Sequence, residues 1–307
     1  MLRVNRATIA AYLIPMFVAI ALVNLWPIFY TFTISFTNKS LFHLDDYHFV
    51  GLDNYQQAIG SLQGEFFYVL LQTFLYVVVC VALFLIIGLA TALALNNPKI
   101  KWLPAWRLIL ILPWTVPSVI TALIWKFLFN YDFGTLNKLL RLVFGPQAGI
   151  PWLTNPWAAF AAVVIVNVWL TYPFFTVVIL GALQSIPSDL HEAASVDGAT
   201  AWQRFRHITL PLLRPAITPA TILSAITTFQ MFNTVYLITS GGPITSPLKP
   251  GFTSFVMIYI YNKLFGDTAG NPRYGALAAV AVLIFFILLV LTVLSLRASN
   301  ITKEANT

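Results

Sequence analysis

"HEAASVDGATAWQRFRHITLPLLRP" occupies residues 191–215, between two of the most apolar stretches of the chain. Only 9% of the 307 residues are charged. Yet Asp189, Glu192, Asp197, Arg204, Arg206 and Arg214 all fall in or beside this one segment. Pro187 ends what precedes it, and Ser188 or Asp189 can cap a new helix, with Asp189 and Glu192 at capping-box spacing. Gly198, directly after Asp197, supplies a left-handed break. Thr200 caps a second helix in which Trp202, Phe205 and Ile208 recur at three-residue spacing on one face. Pro211 and Pro215 lead into the next apolar run. The pattern predicts a helix–turn–helix whose apolar face is rimmed by charge, a surface costly to leave in water and suited to docking.

The rest of the chain explains where such a segment would sit. Hydrophobic residues make up 59% of it and the mean hydropathy is +0.82. A soluble domain carries roughly a quarter charged residues, so this composition belongs in a bilayer. An apolar helix needs about 20 residues to cross a ~30 Å hydrocarbon core. Six stretches meet that requirement, at about 8–36, 66–95, 108–129, 157–183, 215–240 and 275–296. A β-barrel would show ten-residue alternation; these runs are continuously apolar. The expected fold is all-α: a polytopic membrane protein with one transmembrane domain over residues 1–307, six transmembrane helices, and a helix–turn–helix loop at 187–215.

Positive charge orients the spans. With both termini cytoplasmic, the inner side holds Arg3, Arg6, Lys99, Lys101, Arg107, Arg204, Arg206, Arg214, Arg297 and Lys303 against four acids. The outer side holds Lys39, Lys126, Lys138, Arg141, Lys249, Lys263 and Arg273 against six acids. The 187–215 loop then faces the cytoplasm. The sequence pI of 9.5 reflects this topology, and nucleic acid is not an expected partner. Arg3 and Arg6 precede an apolar run longer than a signal-peptide core and unclosed by an A-x-A site, so it reads as an uncleaved first span. Cys80 is alone and lies within the second span, which excludes an intrachain disulfide.

Several functions fail on missing residues. No glycine is followed by lysine, so there is no phosphate-cradling G-x-x-x-x-G-K-[ST] loop. No Asp or Glu falls inside a span, whereas self-sufficient secondary carriers driven by ions usually keep carboxylates at membrane depth. His191 and Glu192 begin an H-E-x-x-H pattern, but residue 195 is Ser. Lys126, near the end of the third span, reads as a snorkelling anchor. In "GTLNKLLRLVFG" (134–145), Leu136, Leu139, Leu140 and Val143 stand at helical spacing. That helix either lies on the outer membrane surface or packs on the bundle.

Polar residues inside the spans form a second pattern. Asn167, Leu170, Thr171 and Phe174 share one helix face, with Asn167 near the midplane of its span. Trp114 and Ser118, and Ser224 and Thr228, are i, i+4 pairs in the third and fifth spans. Pro113, Pro117 and Pro173 interrupt these helices and free backbone groups that need protein or a watery cavity beside them. Hydroxyls, an amide and aromatic faces suit a sugar. They equally suit helix–helix hydrogen bonding. Gln230 and Asn233 are further polar candidates.

"EAASVDGATAWQRFRHITLPLLRP" resembles the E-A-A-x-x-D-G-A…F-x-x-I-x-L-P…P signature of permease subunits of bacterial binding-protein-dependent ABC importers. Glu192, Ala193, Ala194, Asp197, Gly198, Ala199, Phe205, Ile208, Leu210, Pro211 and Pro215 meet every fixed position. "ILPWTVPSVITALIWKFLFN" (111–130), "VNVWLTYPFF" (166–175) and "TSGGP" extend the likeness to the larger permease of maltose/maltodextrin systems, in a compact six-span form with a short first outer loop. The resemblance implies a type I importer permease with no cofactor of its own. It implies two separate ATP-binding cassette subunits carrying ATP and Mg, a second homologous permease, an extracytoplasmic sugar-binding protein, and a bacterial inner-membrane location. The loop would dock on an ATPase subunit through Glu192. The family's sugar-contacting positions fall on Trp114, Ser118, Asn167, Leu170, Thr171, Phe174, Ser224 and Thr228, of which Ser118, Asn167, Leu170 and Ser224 are identical. These expectations point to an oligosaccharide such as a maltodextrin or another glycoside, with a polar solute such as glycerol phosphate as the alternative.

Overall fold

The computed structural model describes residues 6–60, 65–246, 249–266 and 272–298. Its helices run α1 (Arg6–Ile20), α2 (Trp26–Ile34), α3 (Asp53–Gly60), α4 (Glu65–Leu95), α5 (Leu103–Thr115), α6 (Ser118–Leu128) and α7 (Thr135–Phe144). There follow α8 (Pro156–Gln184), α9 (Ser188–Val196), α10 (Ala201–Arg204), α11 (Leu210–Phe229), α12 (Asn233–Thr239), α13 (Val256–Phe265) and α14 (Tyr274–Ala298). Among the described residues there is no strand, only two isolated bridges, Thr37 with Phe49 and Ser40 with His43. Five helical stretches are long and apolar enough to cross a membrane, and six if the bent pair α5–α6 counts as one span.

Two prolines shape two of those stretches in the same way. Pro27 and Pro211 lack an N–H and would clash with the carbonyl four residues back. In each case the preceding turn widens to a π-helical one, Ala21–Leu25 and Phe205–Thr209. The residue before each proline then donates five residues back, Trp26 N–H to Ala21 O and Leu210 N–H to Phe205 O. The chain therefore stays helical through both prolines. For the fifth span this corrects the expected boundaries of 215–240: the helix is continuous over Ala201–Phe229, breaks at 230–232, and resumes as α12. The third span also differs from a single helix over 108–129. Pro117 forces Val116 into an extended conformation (φ −82°, ψ 130°), and α5 and α6 meet at 94°.

Backbone contacts divide the described residues into two units, one drawn from 6–66 and 260–290, the other from 67–259 and 291–298. In the first, buried Asn54 ties the end of α2 down, its Nδ2 donating to Ser35 O at 2.9 Å and Thr37 O at 2.7 Å. Gly275 comes so close to the Thr37 carbonyl that any side chain there would collide with it.

The second unit is built around α8. Tyr76 and Phe84 of α4, Phe160, Phe175 and Ile179 of α8, and Leu213 of α11 form its buried core. α4 and α8 cross at Gly88, where an added Cβ would lie 2.5 Å from Phe175 Cβ. Small residues let membrane helices approach in this way, and the Thr91 and Thr176 hydroxyls bond across the crossing at 2.6 Å. Asn155 caps α8, its side chain accepting from Trp157 N and Ala158 N at 3.1 Å each.

Candidate functional site

The breaks in α5–α6 and α11–α12 fall beside the middle of α8, and a cavity of about 470 Å³ opens between them. Pro117 turns the chain so that Trp114 and Val116 line it from one side of the bend and Ser118 from the other. α8 contributes Asn167, Leu170 and Thr171. The end of α11, the break and the start of α12 contribute Thr227 and residues 230–234. None of these lining side chains is ionisable.

Asn167 is the focus of the cavity. It is fully buried, and its Oδ1 accepts from the Thr171 hydroxyl at 3.4 Å. Tyr76 and Cys80 of α4 interact with it, but neither Asn167 Nδ2 nor Tyr76 Oη completes a hydrogen bond. Thr234 Oγ1, buried on the α12 side, is likewise unpartnered. Asn167 of α8 and Thr234 of α12, both cavity residues, thus each keep one buried polar atom without a partner. A buried donor without a partner costs roughly 1–3 kcal/mol.

Of the eight expected contact residues, Trp114, Ser118, Asn167, Leu170 and Thr171 line the cavity. Phe174 stands behind them, its ring 6.0 Å from that of Trp114. Ser224 and Thr228, by contrast, are 4% and 3% exposed and are not in the lining. The reason is helical phase: they share the face of α11 that packs inward, and Thr227, about 60° from Ser224 and about 100° from Thr228 around the helix, meets the cavity instead. Gln230 and Asn233 both line it. Val116, Thr227, Met231, Phe232 and Thr234 had no signal in the sequence, the last four because neither Gly nor Pro marks the break at 230–232.

The second feature is the 187–215 segment. α9 starts directly after Pro187, without the side-chain cap expected from Ser188 or Asp189. Glu192, Ala193 and Ala194 lie on α9, and Asp197 follows its last turn. Gly198 has φ +80°, the left-handed conformation that its lack of a Cβ permits. Ala199 leads to Thr200, which forms a complete capping box with Gln203: Thr200 N–H donates to Gln203 Oε1 at 2.7 Å and Gln203 N–H to Thr200 Oγ1 at 3.3 Å. Val196 is 88% and Trp202 65% exposed, and Trp202 stacks on Phe205 at 5.5 Å. Glu192 forms no ion pair among the described residues. Ile208 and Leu210 are half-buried where this segment enters the long helix.

Apolar spans around an uncharged polar cavity, with an exposed helical hairpin at one end of α8, define a helical membrane transport subunit. The sequence profile for the inner membrane component of binding-protein-dependent transport systems matches residues 84–301. The chain belongs to that family, and with it to the multi-pass proteins of the inner membrane. It is 34% identical over 293 residues to the trehalose/maltose transport system permease protein MalF of Thermococcus litoralis, covering 95% of this chain and 93% of that one. It is 32% identical over 299 residues to the maltodextrin transport system permease protein MdxF of Bacillus subtilis, covering 94% and 68%. The fold is similar to a chain of the bacterial alginate ABC transporter crystallised with an alginate pentasaccharide-bound periplasmic protein. That match has a TM-score of 0.72 at 21% identity and covers 95% of this chain and 93% of that one.

Proposed function

We propose that this chain forms half of the translocation pathway of an ATP-driven importer for an uncharged oligosaccharide of the maltodextrin or trehalose type. The carrying observation is the cavity: hydroxyls, amides and an indole, with no ionisable group among its lining residues. Sugar hydroxyls satisfy such groups, and a sugar C–H face stacks on Trp114. A glycerol phosphate would bring its charge to a wall with no cation, a large desolvation cost. The names of the permease relatives support the same substrate class.

In this reading the chain performs no covalent chemistry and binds no cofactor. Trp114, Ser118, Asn167, Leu170 and Thr171 contact the sugar, Phe174 supports Trp114, and Ser224 and Thr228 act from the packing layer behind. Both termini and the 187–215 loop face the cytoplasm. There Glu192, with the surface of Ala193, Ala194, Asp197, Gly198 and Ala199, docks on one of two ATP-binding cassette subunits, which hold ATP and Mg. Phe205, Ile208, Leu210 and Pro211 join that surface to the long helix. A second homologous permease completes the pathway, and an extracytoplasmic binding protein delivers the sugar. Coupling is carried by a rigid docked element biased by both partners.

The test is uptake by proteoliposomes holding the complete transporter with its binding protein. ATP-dependent accumulation of maltose, trehalose or maltotriose, and none of glycerol 3-phosphate, is expected. The reverse pattern would overturn the assignment.

A further inference from the structure

Helix α7 buries a polar residue and bares part of its apolar face, while Leu136 and Leu140 stay partly buried. In a water-exposed helix the polar side chains face solvent and the leucines face the protein. Here the polar residue is inside: Asn137 is fully buried and makes four bonds to the surrounding loops. Its Nδ2 donates to Ile150 O at 2.9 Å and Tyr131 O at 3.3 Å. Its Oδ1 accepts from Ile150 N at 3.0 Å and Trp152 Nε1 at 3.2 Å. These bonds fix the rotation of the helix about its axis. On the opposite face stand Leu139, Leu142 and Val143, which are 52%, 81% and 69% exposed.

We propose that this face of α7 lies in the membrane interface, with Leu142 and Val143 among the upper acyl chains and Lys138 at the level of the lipid phosphates. Three observations favour lipid as the occupant. α7 begins only a few residues beyond the end of the apolar helix α6, so it sits at the edge of the bilayer that α6 enters. Phe127 of α6 and Phe133, two residues before α7, are both exposed with rings 5.1 Å apart, so apolar surface runs from α6 to the start of α7. Lys126, in the last turn of α6, and Lys138, on the flank of α7, are both exposed and form no ion pair among the described residues. That pattern, apolar face with basic flank, is how interfacial helices bind a charged lipid surface.

The experiment uses the complete transporter in nanodiscs of phosphatidylethanolamine and phosphatidylglycerol, spin-labelled at Leu142→Cys or Val143→Cys. Cys80 is fully buried and stays unlabelled. Power saturation then compares collision with oxygen, enriched in lipid, and with nickel ethylenediamine diacetate, confined to water. Both labels should collide more with oxygen, and a Thr245→Cys label on an exposed loop should show the opposite. Greater collision of the α7 labels with nickel would place the face in water. Protection from both reagents would mean that a protein partner covers it. Either result overturns the proposal, and neither touches the transport assignment.

Discussion

The hydroxyl of Thr171 donates to Asn167 Oδ1 across one turn of α8, at 3.4 Å, and leaves Asn167 Nδ2 with no partner in a fully buried setting. The bond satisfies the acceptor within the helix, while Nδ2 stays buried without completing a hydrogen bond, with Tyr76 and Cys80 of α4 beside Asn167. This arrangement separates a binding residue from a packing one. Asn167→Ala should cut sugar uptake roughly tenfold, the worth of one well-placed hydrogen bond. Yield and melting temperature of the assembled transporter should fall much less than uptake, because Nδ2 completes no hydrogen bond to another helix and only contact with Tyr76 and Cys80 is lost. Trp114→Ala and Ser118→Ala should share the transport defect. Parallel loss of stability and uptake in all three would make the cavity wall a packing surface.

Gly198 tests the docking loop without steric ambiguity. A Cβ placed there meets nothing within 4 Å, so substitution acts through the backbone alone. A left-handed conformation costs an ordinary L-residue about 1–2 kcal/mol, and a β-branched one more. Sugar-stimulated ATP hydrolysis should therefore fall in the order glycine, Gly198→Asn, Gly198→Ala, Gly198→Val. Glu192→Ala should abolish stimulation while membrane insertion, checked by fractionation, is kept. Full stimulation in both Glu192→Ala and Gly198→Val would end the docking assignment.

Topology follows from two exposed positions. Single cysteines at Ser195 and Thr245 should react with a membrane-impermeant maleimide from opposite faces of the membrane, Thr245 in intact spheroplasts and Ser195 only in inverted vesicles. Labelling of both from one side would contradict the orientation.

Asn137 carries a stability prediction. Removing its side chain leaves the carbonyls of Tyr131 and Ile150 and the donors of Ile150 and Trp152 unsatisfied together. Asn137→Ala should lower stability by roughly 2–4 kcal/mol, read as a fall in melting temperature of the purified complex. Lys138→Ala, one residue away and exposed, should leave it unchanged.

What the sequence discloses depends on whether the signal is local. The turn at Gly198 and the cap at Thr200 are legible because single side chains impose them. So is the polar face of α8, because Asn167, Leu170 and Thr171 lie within one helix whose phase the spacing determines. The missing cap at α9, the bend at Val116 and the break at 230–232 escape because they depend on what surrounds them. "PWTVP" reads equally as a kinked span or two helices, and "FQMFN" carries neither Gly nor Pro to mark an end. Ser224 and Thr228 are named by their i, i+4 spacing and by the resemblance, and neither signal says which face of α11 meets the cavity, so Thr227 goes unmarked.

A π-helical turn holds one residue more than the α-helical turn it replaces. Each residue of an α-helix turns the chain by about 100°. The widened turn at Phe205–Thr209 therefore acts as a phase shifter between the two ends of a single rod. It sets the azimuth at which Trp202 points relative to Thr227 and, beyond it, the cavity wall. Pro211 enforces the setting, since a regular turn would bring its ring against the His207 carbonyl. Deleting one residue of that turn would leave the composition of docking surface and cavity intact, and would remove the widening that sets their relative azimuth.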